Sequence, residues 1–373
     1  MVMEAKGHAE PQATADMGSY GRQTTTSRRA FVLSLNLFLL IIGSGANPLL
    51  LRLYFLKGGR RIWFSTFLQT AGFPLLLPPL LLSYLRRRRY YVQHSSNPEQ
   101  KPKLFFLTPA LLLYCTLLGL LTGVVDLLYA YGLAFLPVST SSLLFSTELA
   151  FTALFSFFIV RQRFTSFSIN AIVLLSLGAV MLGLHASSDR PARESQSKYY
   201  LGFAMTLGSA VFDGLLPTLT QLMYAKAKQG GSYTLVMESQ LVMAFSATTF
   251  CAVGMAANNE FQGILLEAKG YELGEAKYYL VVVSLAVLTQ LLFLGRVGVV
   301  LYSSALLSGL VLALLLPMTE VLAVIFFHEP FDGDKIVALG LSLWGFASYL
   351  YGERIEYTKN KSRATETQLS VSV

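Results

Sequence analysis

Five carboxylic acids stand inside or at the edges of long apolar stretches of this chain: Asp126, Glu148, Asp213, Glu238 and Glu320. A charge in hydrocarbon costs about 2.5 to 3.5 kcal/mol on insertion scales, so each acid needs a water-filled cavity, a partner or a proton. Arg52 and Arg296 are the bases that could neutralise them there. At least three acids are then left without an intramembrane base, and groups of that kind carry protons. Asp213 and Asp126 are the first candidates for a coupling proton and Glu238 a third. Glu148, Arg296 and Glu320 read either as an internal ion pair or as functional groups, and spacing does not choose between the two.

The neighbours of these acids narrow the chemistry. Helical spacing puts Thr206, Ser209, Pro217 and Thr220 on the face of Asp213, a polar stripe broken by a proline. Such a stripe lines a cavity or forms a hydrogen-bonded packing seam between helices. Glu238 and Gln240 are two residues apart, so they point to nearly opposite sides of one helix and cannot both face one solute squarely. Trp63 and Gln69 combine an aromatic plane with an amide, which suits stacking on and pairing with a flat heterocycle. A Trp near a helix end also serves as an interface anchor.

The elements that must position these residues are membrane helices. The 373 residues are 54% hydrophobic and only 13% charged, about half the charged share of soluble domains. Ten apolar stretches approach the roughly 20 residues needed to cross hydrocarbon: 31–51, 63–84, 105–126, 138–160, 168–185, 199–224, 234–257, 278–302, 304–327 and 334–351. A turn between the third and fourth rests on Leu136-Pro137-Val138. With an inside N-terminus, inside loops and tails hold 18 Lys and Arg against 9 outside, so both termini are expected in the cytosol. The tract Arg86 to Arg89 contributes most to that bias. The Asn360-Lys361-Ser362 sequon then faces the cytosol and is expected to be unmodified.

Other chemistries find little support. Cys115 and Cys251 sit in apolar runs, and His8, His94, His185 and His328 lie in tails or at helix ends, so neither a metal site nor a cofactor is expected. The net charge of +8 is spread over membrane-flanking loops, which speaks for topology and against nucleic acid as a partner. No GxSxG or HExxH motif is present, so no enzyme is expected.

The halves echo each other. A shift of 167 residues aligns Arg161-Gln-Arg-Phe164 with His328-Glu-Pro-Phe331, Ile169 with Ile336 and Gly178 with Gly345. Pro48 before Gly58-Gly59 is echoed by Pro217 before Gly230-Gly231, and Gln69 by Gln240. Five spans per copy is an odd number, so the second copy enters from the opposite side. The expected architecture is an all-α membrane protein with ten transmembrane helices as two inverted five-helix repeats. Its divisions are a disordered tail 1–30, a first repeat 31–185, a linker 186–198, a second repeat 199–351 and a disordered tail 352–373. Transporters use this design with the solute site near the midplane.

Ordered blocks along the chain resemble the purine permease family of plants: Arg52-Leu-Tyr-Phe55, Gly58-Gly59, Trp63, Gln69, Ala71-Gly-Phe-Pro74, Asp126-Leu-Leu-Tyr-Ala-Tyr131, Leu136-Pro-Val-Ser-Thr140, Tyr233-Thr-Leu-Val-Met-Glu238, Gln240-Leu-Val-Met243, Leu316-Pro317 and Thr319-Glu-Val-Leu-Ala-Val-Ile-Phe326. The resemblance runs from Phe31 to Glu353 and implies the ten-helix fold of the drug/metabolite transporter superfamily. It also implies proton-coupled uptake of adenine-like nucleobases and relatives such as cytokinins, alkaloids or pyridoxine. The residues expected to touch such a solute are Trp63, Gln69, Tyr129, Glu238 and Gln240. Three positions depart from the family pattern: Glu148 where Gln is common, Gln221 where an acid often follows Leu-Pro, and Arg296 where a small residue is usual.

The resulting expectation is an alternating-access symporter for a purine-like solute and protons, embedded by default in the plasma membrane. Rival readings are an exchanger of nucleotide sugars or phosphates with the same fold, and a sensor that has lost turnover. Strongly anionic solutes need Lys or Arg in the cavity, and only Arg296 and Arg52 are available.

Overall fold

The computed structural model describes residues 12–94, 106–145, 147–161, 165–184, 195–227, 233–327 and 333–371. Every regular element among them is helical. In chain order these are α1 (Gln12–Leu56), α2 (Ile62–Thr70), α3 (Leu77–His94), α4 (Pro109–Phe135), α5 (Val138–Phe145), α6 (Glu148–Val160), α7 (Ser166–Leu184), α8 (Gln196–Ala227), α9 (Tyr233–Ala257), α10 (Ile264–Gly270), α11 (Glu275–Tyr302), α12 (Ala305–Phe327) and α13 (Gly333–Val371). Among the described residues six helical stretches are long and apolar enough to cross a membrane by length and composition. The polarity is that of a protein in lipid: Phe31, Leu113, Phe158 and Trp344 point outward, whereas Gln69, Thr70, Ser209, Thr289 and Gln290 are buried. The alignments of Arg161-Gln-Arg-Phe164 with His328 to Phe331, and of Gly230-Gly231, fall largely outside the described residues, as does most of the linker 186–198.

Local chemistry accounts for the helix ends. Thr108 caps α4 by accepting the Leu111 N–H, with Pro109 in the first turn where its missing donor costs nothing. At the other end Leu136 adopts φ −106° and ψ 152°, the extended conformation forced on a residue before proline, and α4 stops there. The third stretch was expected to end at 126, but α4 continues to Phe135. Nothing after Asp126 breaks a helix until Pro137, and the carboxyl faces the bundle, so it is no terminus signal. The fourth stretch, expected as one helix over 138–160, is two: α5 ends at Phe145 and α6 begins at Glu148, with the Thr147 hydroxyl bonded to the Leu144 carbonyl at 2.7 Å. The break puts Glu148 in the first turn of α6, where the helix dipole favours an acid.

Both tails, expected to be disordered, are helical where described: α1 begins at Gln12 and α13 runs to Val371. Extending an anchored helix needs no new nucleus, and the flanking segments hold few residues that stop it.

The packing follows a regular scheme. Helix α1 lies along α11 and α8 along α4; α2 touches α11 as α4 touches α9; α1 meets α12 as α8 meets α6. Three further pairs, α2 with α9, α6 with α12 and α7 with α13, close the bundle. In the last, Gly178 packs on Ala338 and Gly345 on Ala171, two contacts related by one shift of 167 residues. Gly295 lets α11 meet α1 backbone to backbone, since a Cβ there would lie 2.5 Å from the Leu40 nitrogen.

One end of the bundle is tied by a polar latch. Glu267 of α10 accepts the Tyr54 hydroxyl at 2.5 Å, the Tyr278 hydroxyl at 3.1 Å and the Arg60 N–H at 3.2 Å, and pairs with Arg61 at 3.4 Å. Glu260 accepts the Phe64 N–H at 2.7 Å at the start of α2. Burial pushes the Glu260 carboxyl above its usual range, against the pull of the amide donors of Phe64 and Trp63.

Candidate functional site

Three helices converge on Arg296. Its Nη1 donates to both carboxylate oxygens of Asp213, at 2.6 and 2.8 Å, and its Nη2 pairs with Glu148. All three side chains are buried. The same Nη2 lies 3.2 Å from the Asp213 main-chain carbonyl. That carbonyl is available for a reason legible in the sequence: its helical donor would be residue 217, and Pro217 has no N–H. Beside Asp213, Gly214 brings α8 against α6, because a Cβ there would sit 2.8 Å from the Thr152 nitrogen and 3.0 Å from the Glu148 carbonyl. Proline and glycine together set the acid, the freed carbonyl and Glu148 around one guanidinium.

Next to this cluster is a small cavity of about 80 Å³. Its polar wall includes Asn47, Gln69, Asp126, Asp213 and Thr289, and its aromatic wall Tyr129, Phe145 and Phe293. The rings of Tyr129 and Phe145 are 5.1 Å apart and tilted by 56°. Asn47 is held by the Thr289 hydroxyl, which donates to its Oδ1 at 3.0 Å. Asp126 Oδ2 is buried without a hydrogen-bond partner among the described residues. Gln69 is buried too, its side-chain amide nitrogen 3.5 Å from the Ser65 carbonyl.

A second, smaller cavity of about 30 Å³ lies beyond Arg296 and Phe293, which line both. Thr70, Thr122, Pro217, Thr220 and Gln240 form its walls. The Gln240 Oε1 is buried and has no hydrogen-bond partner among the described residues. Thr220, on the stripe with Asp213, lines this second space, Ser209 lines the first, and Thr206 spends its hydroxyl on the Gly202 carbonyl. The stripe thus serves both cavity and packing.

The remaining candidates lie elsewhere. Glu238 is buried at the far end of α9, where its Oε2 accepts the Phe106 N–H at 2.7 Å, and it lines neither cavity. It pins the segment leading into α4. Trp63 lies over Gly254 with its ring 5.7 Å from Phe250, joining α2 to α9, and it also lines neither cavity. Glu320 belongs to α12, but its side chain is outside what the structure describes. The partner that Arg296 takes besides Glu148 is Asp213, a pairing across chain separations of 83 and 148 residues that spacing could not suggest. Asn47, Phe145, Thr289 and Phe293 were not among the sequence candidates; the one hint was Asn47 preceding Pro48. No group of three or more His, Cys, Asp or Glu suited to a metal ion occurs among the described residues.

Residues 31–360 match a family profile described as purine nucleobase transmembrane transport. Purine permease 3 of Arabidopsis thaliana is 46% identical over 334 residues, covering 90% of this chain and 93% of its own. Purine permease 2 of the same plant is 46% identical over 347 residues, covering 90% and 95%. A probable purine permease 11 is 34% identical over 99% of this chain and 96% of its own. One solved crystal structure shares the fold at a TM-score of 0.52, with 15% identity, over 85% of this chain and 97% of that one.

Proposed function

This chain belongs to the purine permease family, membrane transporters rather than enzymes, and from that premise we propose a proton-coupled carrier of adenine-like purines working by alternating access. The bundle is ten crossings in two inverted five-helix repeats. What supports this is the packing scheme: exchanging the repeats turns α1 on α11 into α8 on α4, and α2 on α11 into α9 on α4, while the α7–α13 pair maps onto itself.

The solute site is the cavity beside Asp126. A flat heterocycle lies between the aromatic faces of Tyr129, Phe145 and Phe293, and its ring nitrogens and exocyclic amine meet Gln69, Asn47 and Asp126. Gln240 waits on the far side of Arg296 as the next contact along the path. Trp63 and Glu238 position α2 and α4 and do not touch the solute.

The observation that carries the reading is the buried Asp126 Oδ2 beside this cavity, which has no hydrogen-bond partner among the described residues. Three carboxyls, Asp126, Asp213 and Glu148, surround one guanidinium, so full ionisation leaves the cluster at −2. Low-polarity surroundings disfavour that excess, and a proton relieves it. Asp126 is the group that exchanges the proton, because Asp213 and Glu148 are committed to Arg296. Solute binding to a protonated Asp126, followed by release of both on the other side, couples the two fluxes. Cytosolic termini and a plasma-membrane location complete the reading.

The test is uptake of labelled adenine and trans-zeatin into cells lacking their own purine carriers, with and without a protonophore. Collapse of uptake by the protonophore, and in Asp126→Asn at unchanged surface level, is the expected result. Protonophore-insensitive uptake removes the coupling, and full activity in Asp126→Asn removes its carrier. An anionic sugar-nucleotide substrate is disfavoured, because Arg296, the cation among the described lining residues, is already engaged by two carboxylates.

A further inference from the structure

On three helices, buried apolar residues stand between the first cavity and one end of the bundle. Leu51 follows Pro48 on α1, Phe64 precedes Gln69 on α2 and Leu285 precedes Thr289 on α11, and the three belong to one cluster with Tyr54 and Tyr278. The opposite end repeats the arrangement around the second cavity. Cys115 and Leu118 precede Thr122 on α4, Val236 precedes Gln240 on α9 and Met223 follows Thr220 on α8, again in one cluster. An apolar plug thus separates each cavity from its own end of the bundle.

Acids that line neither cavity tie each plug shut. At the first end, Glu267 of α10 accepts the Tyr278 hydroxyl of α11 at 3.1 Å and pairs at 3.4 Å with Arg61, the residue before α2. Glu260, ahead of α10, accepts the Phe64 N–H of α2 at 2.7 Å. Helix α10 and its approach thereby clasp α2 to α11. At the second end, Glu238 of α9 accepts the Phe106 N–H at 2.7 Å just ahead of α4. Arg87 of α3 lies 4.4 Å from the centre of the Phe106 ring, and the Ser83 hydroxyl of α3 is 3.2 Å from that of Thr234 on α9. Here α9 is clasped to α4, with α3 beside them.

The two clasps occupy matching places. With the repeats inverted, α2, α10 and α11 exchange with α9, α3 and α4, and these are the elements that the two clasps join. The side chains differ, but the positions correspond at opposite ends of the fold. In a carrier that opens its ends alternately, each tie is made while its own end is closed and lost when that end opens. Such a contact favours one state over the other and so biases the equilibrium between them.

We propose that Glu267 with Glu260 at one end, and Glu238 at the other, are positioning residues that hold the outer and inner gates shut and are released in turn during transport. This rests on the alternating-access reading with cytosolic termini, which puts the Glu267 end outside.

The test is the rate at which Ser44→Cys, on the wall of the first cavity, reacts with a membrane-impermeant thiol reagent. The full-length protein carries Cys115→Ala and Cys251→Ala, and the reagent is added to intact cells or to inside-out vesicles. Glu267→Ala should label roughly tenfold faster from outside only, the order expected when one state loses a charge-assisted hydrogen bond. Glu238→Ala should label faster by a similar factor from inside only. Glu272→Ala, which breaks the exposed Lys57 pair near the first clasp, should label at the parent rate from both sides. Where an alanine variant is not monodisperse, Tyr278→Phe and Glu238→Gln weaken the same ties. A folded clasp variant that labels at the parent rate, or faster from both sides, overturns the proposal. Inverse sidedness supports the clasps and overturns the placement of the termini. Labelling needs no purine, so a failed adenine-uptake test leaves this result standing.

Discussion

Removing Arg296 should be the most damaging single change in the charged cluster. Arg296→Gln leaves Asp126, Asp213 and Glu148 buried with no base among the described lining residues. Breaking a buried pair by deleting one partner costs about 3 to 5 kcal/mol, because the survivor keeps its desolvation penalty. Asp213→Asn should come next: it weakens two of the guanidinium's contacts, at 2.6 and 2.8 Å, but leaves Glu148 as counter-charge. Glu148→Gln should be the mildest, about 1.5 to 3 kcal/mol for one charge-assisted bond, offset by relief of one excess negative charge. The order Arg296→Gln, Asp213→Asn, Glu148→Gln in falling severity can be read from thermal unfolding of purified protein in one detergent, followed by size-exclusion fluorescence. The double variant Arg296→Gln/Glu148→Gln should recover part of the loss of Arg296→Gln, since it removes one uncompensated acid. An Arg296→Gln protein as stable as the parent, or Glu148→Gln as harmful as Asp213→Asn, would refute the account of a net-negative cluster held by one guanidinium.

Pro217→Ala restores an N–H that competes for the Asp213 carbonyl now 3.2 Å from Arg296, and should slow adenine uptake while leaving surface level unchanged, as measured by initial rates. Gly119→Leu should prevent assembly, because even a Cβ would run into the Met243 backbone where α4 crosses α9; the check is loss of monodisperse protein, with Gly270→Leu, where a Cβ meets open space, as control. Burial raises the Glu260 carboxyl above its ordinary 4.5, so the folded state holds this proton more tightly than the unfolded chain. Its contribution to stability is therefore present at low pH and lost as pH rises through the raised value; Glu260→Gln should flatten that part of a melting-temperature profile. On the proposed orientation the sequon at Asn360 is cytosolic and receives no glycan, so Asn360→Gln should leave electrophoretic mobility unchanged.

Much of this protein is written locally. Apolar stretches of membrane-spanning length, the stop at Leu136-Pro137 and the cost of an acid in hydrocarbon each depend on residues close in the chain. They were enough to mark the helices and to single out Asp126, Asp213, Glu148 and Arg296. Glu238 and Trp63 also have the chemistry of a purine site, and their positions could not be read locally: one accepts from the segment entering α4 and the other lies over Gly254, outside both cavities. The split between α5 and α6 falls at Thr147-Glu148, a hydroxyl and an acid at a helix start, a local signal that a reading of 138–160 as one continuous span passes over.

Only the tertiary structure decided which acid pairs with the guanidinium and which does not. Asp213 and Asp126 look equivalent in sequence, each a lone carboxyl in an apolar helix. The bundle joins the first to Arg296 across 83 residues of chain and leaves an oxygen of the second bare in a cavity. Desolvation cost is a property of one residue and its immediate neighbours, so the chain alone reveals it. Compensation of that cost depends on which helices pack together, and such long-range contacts exist only once the bundle has closed.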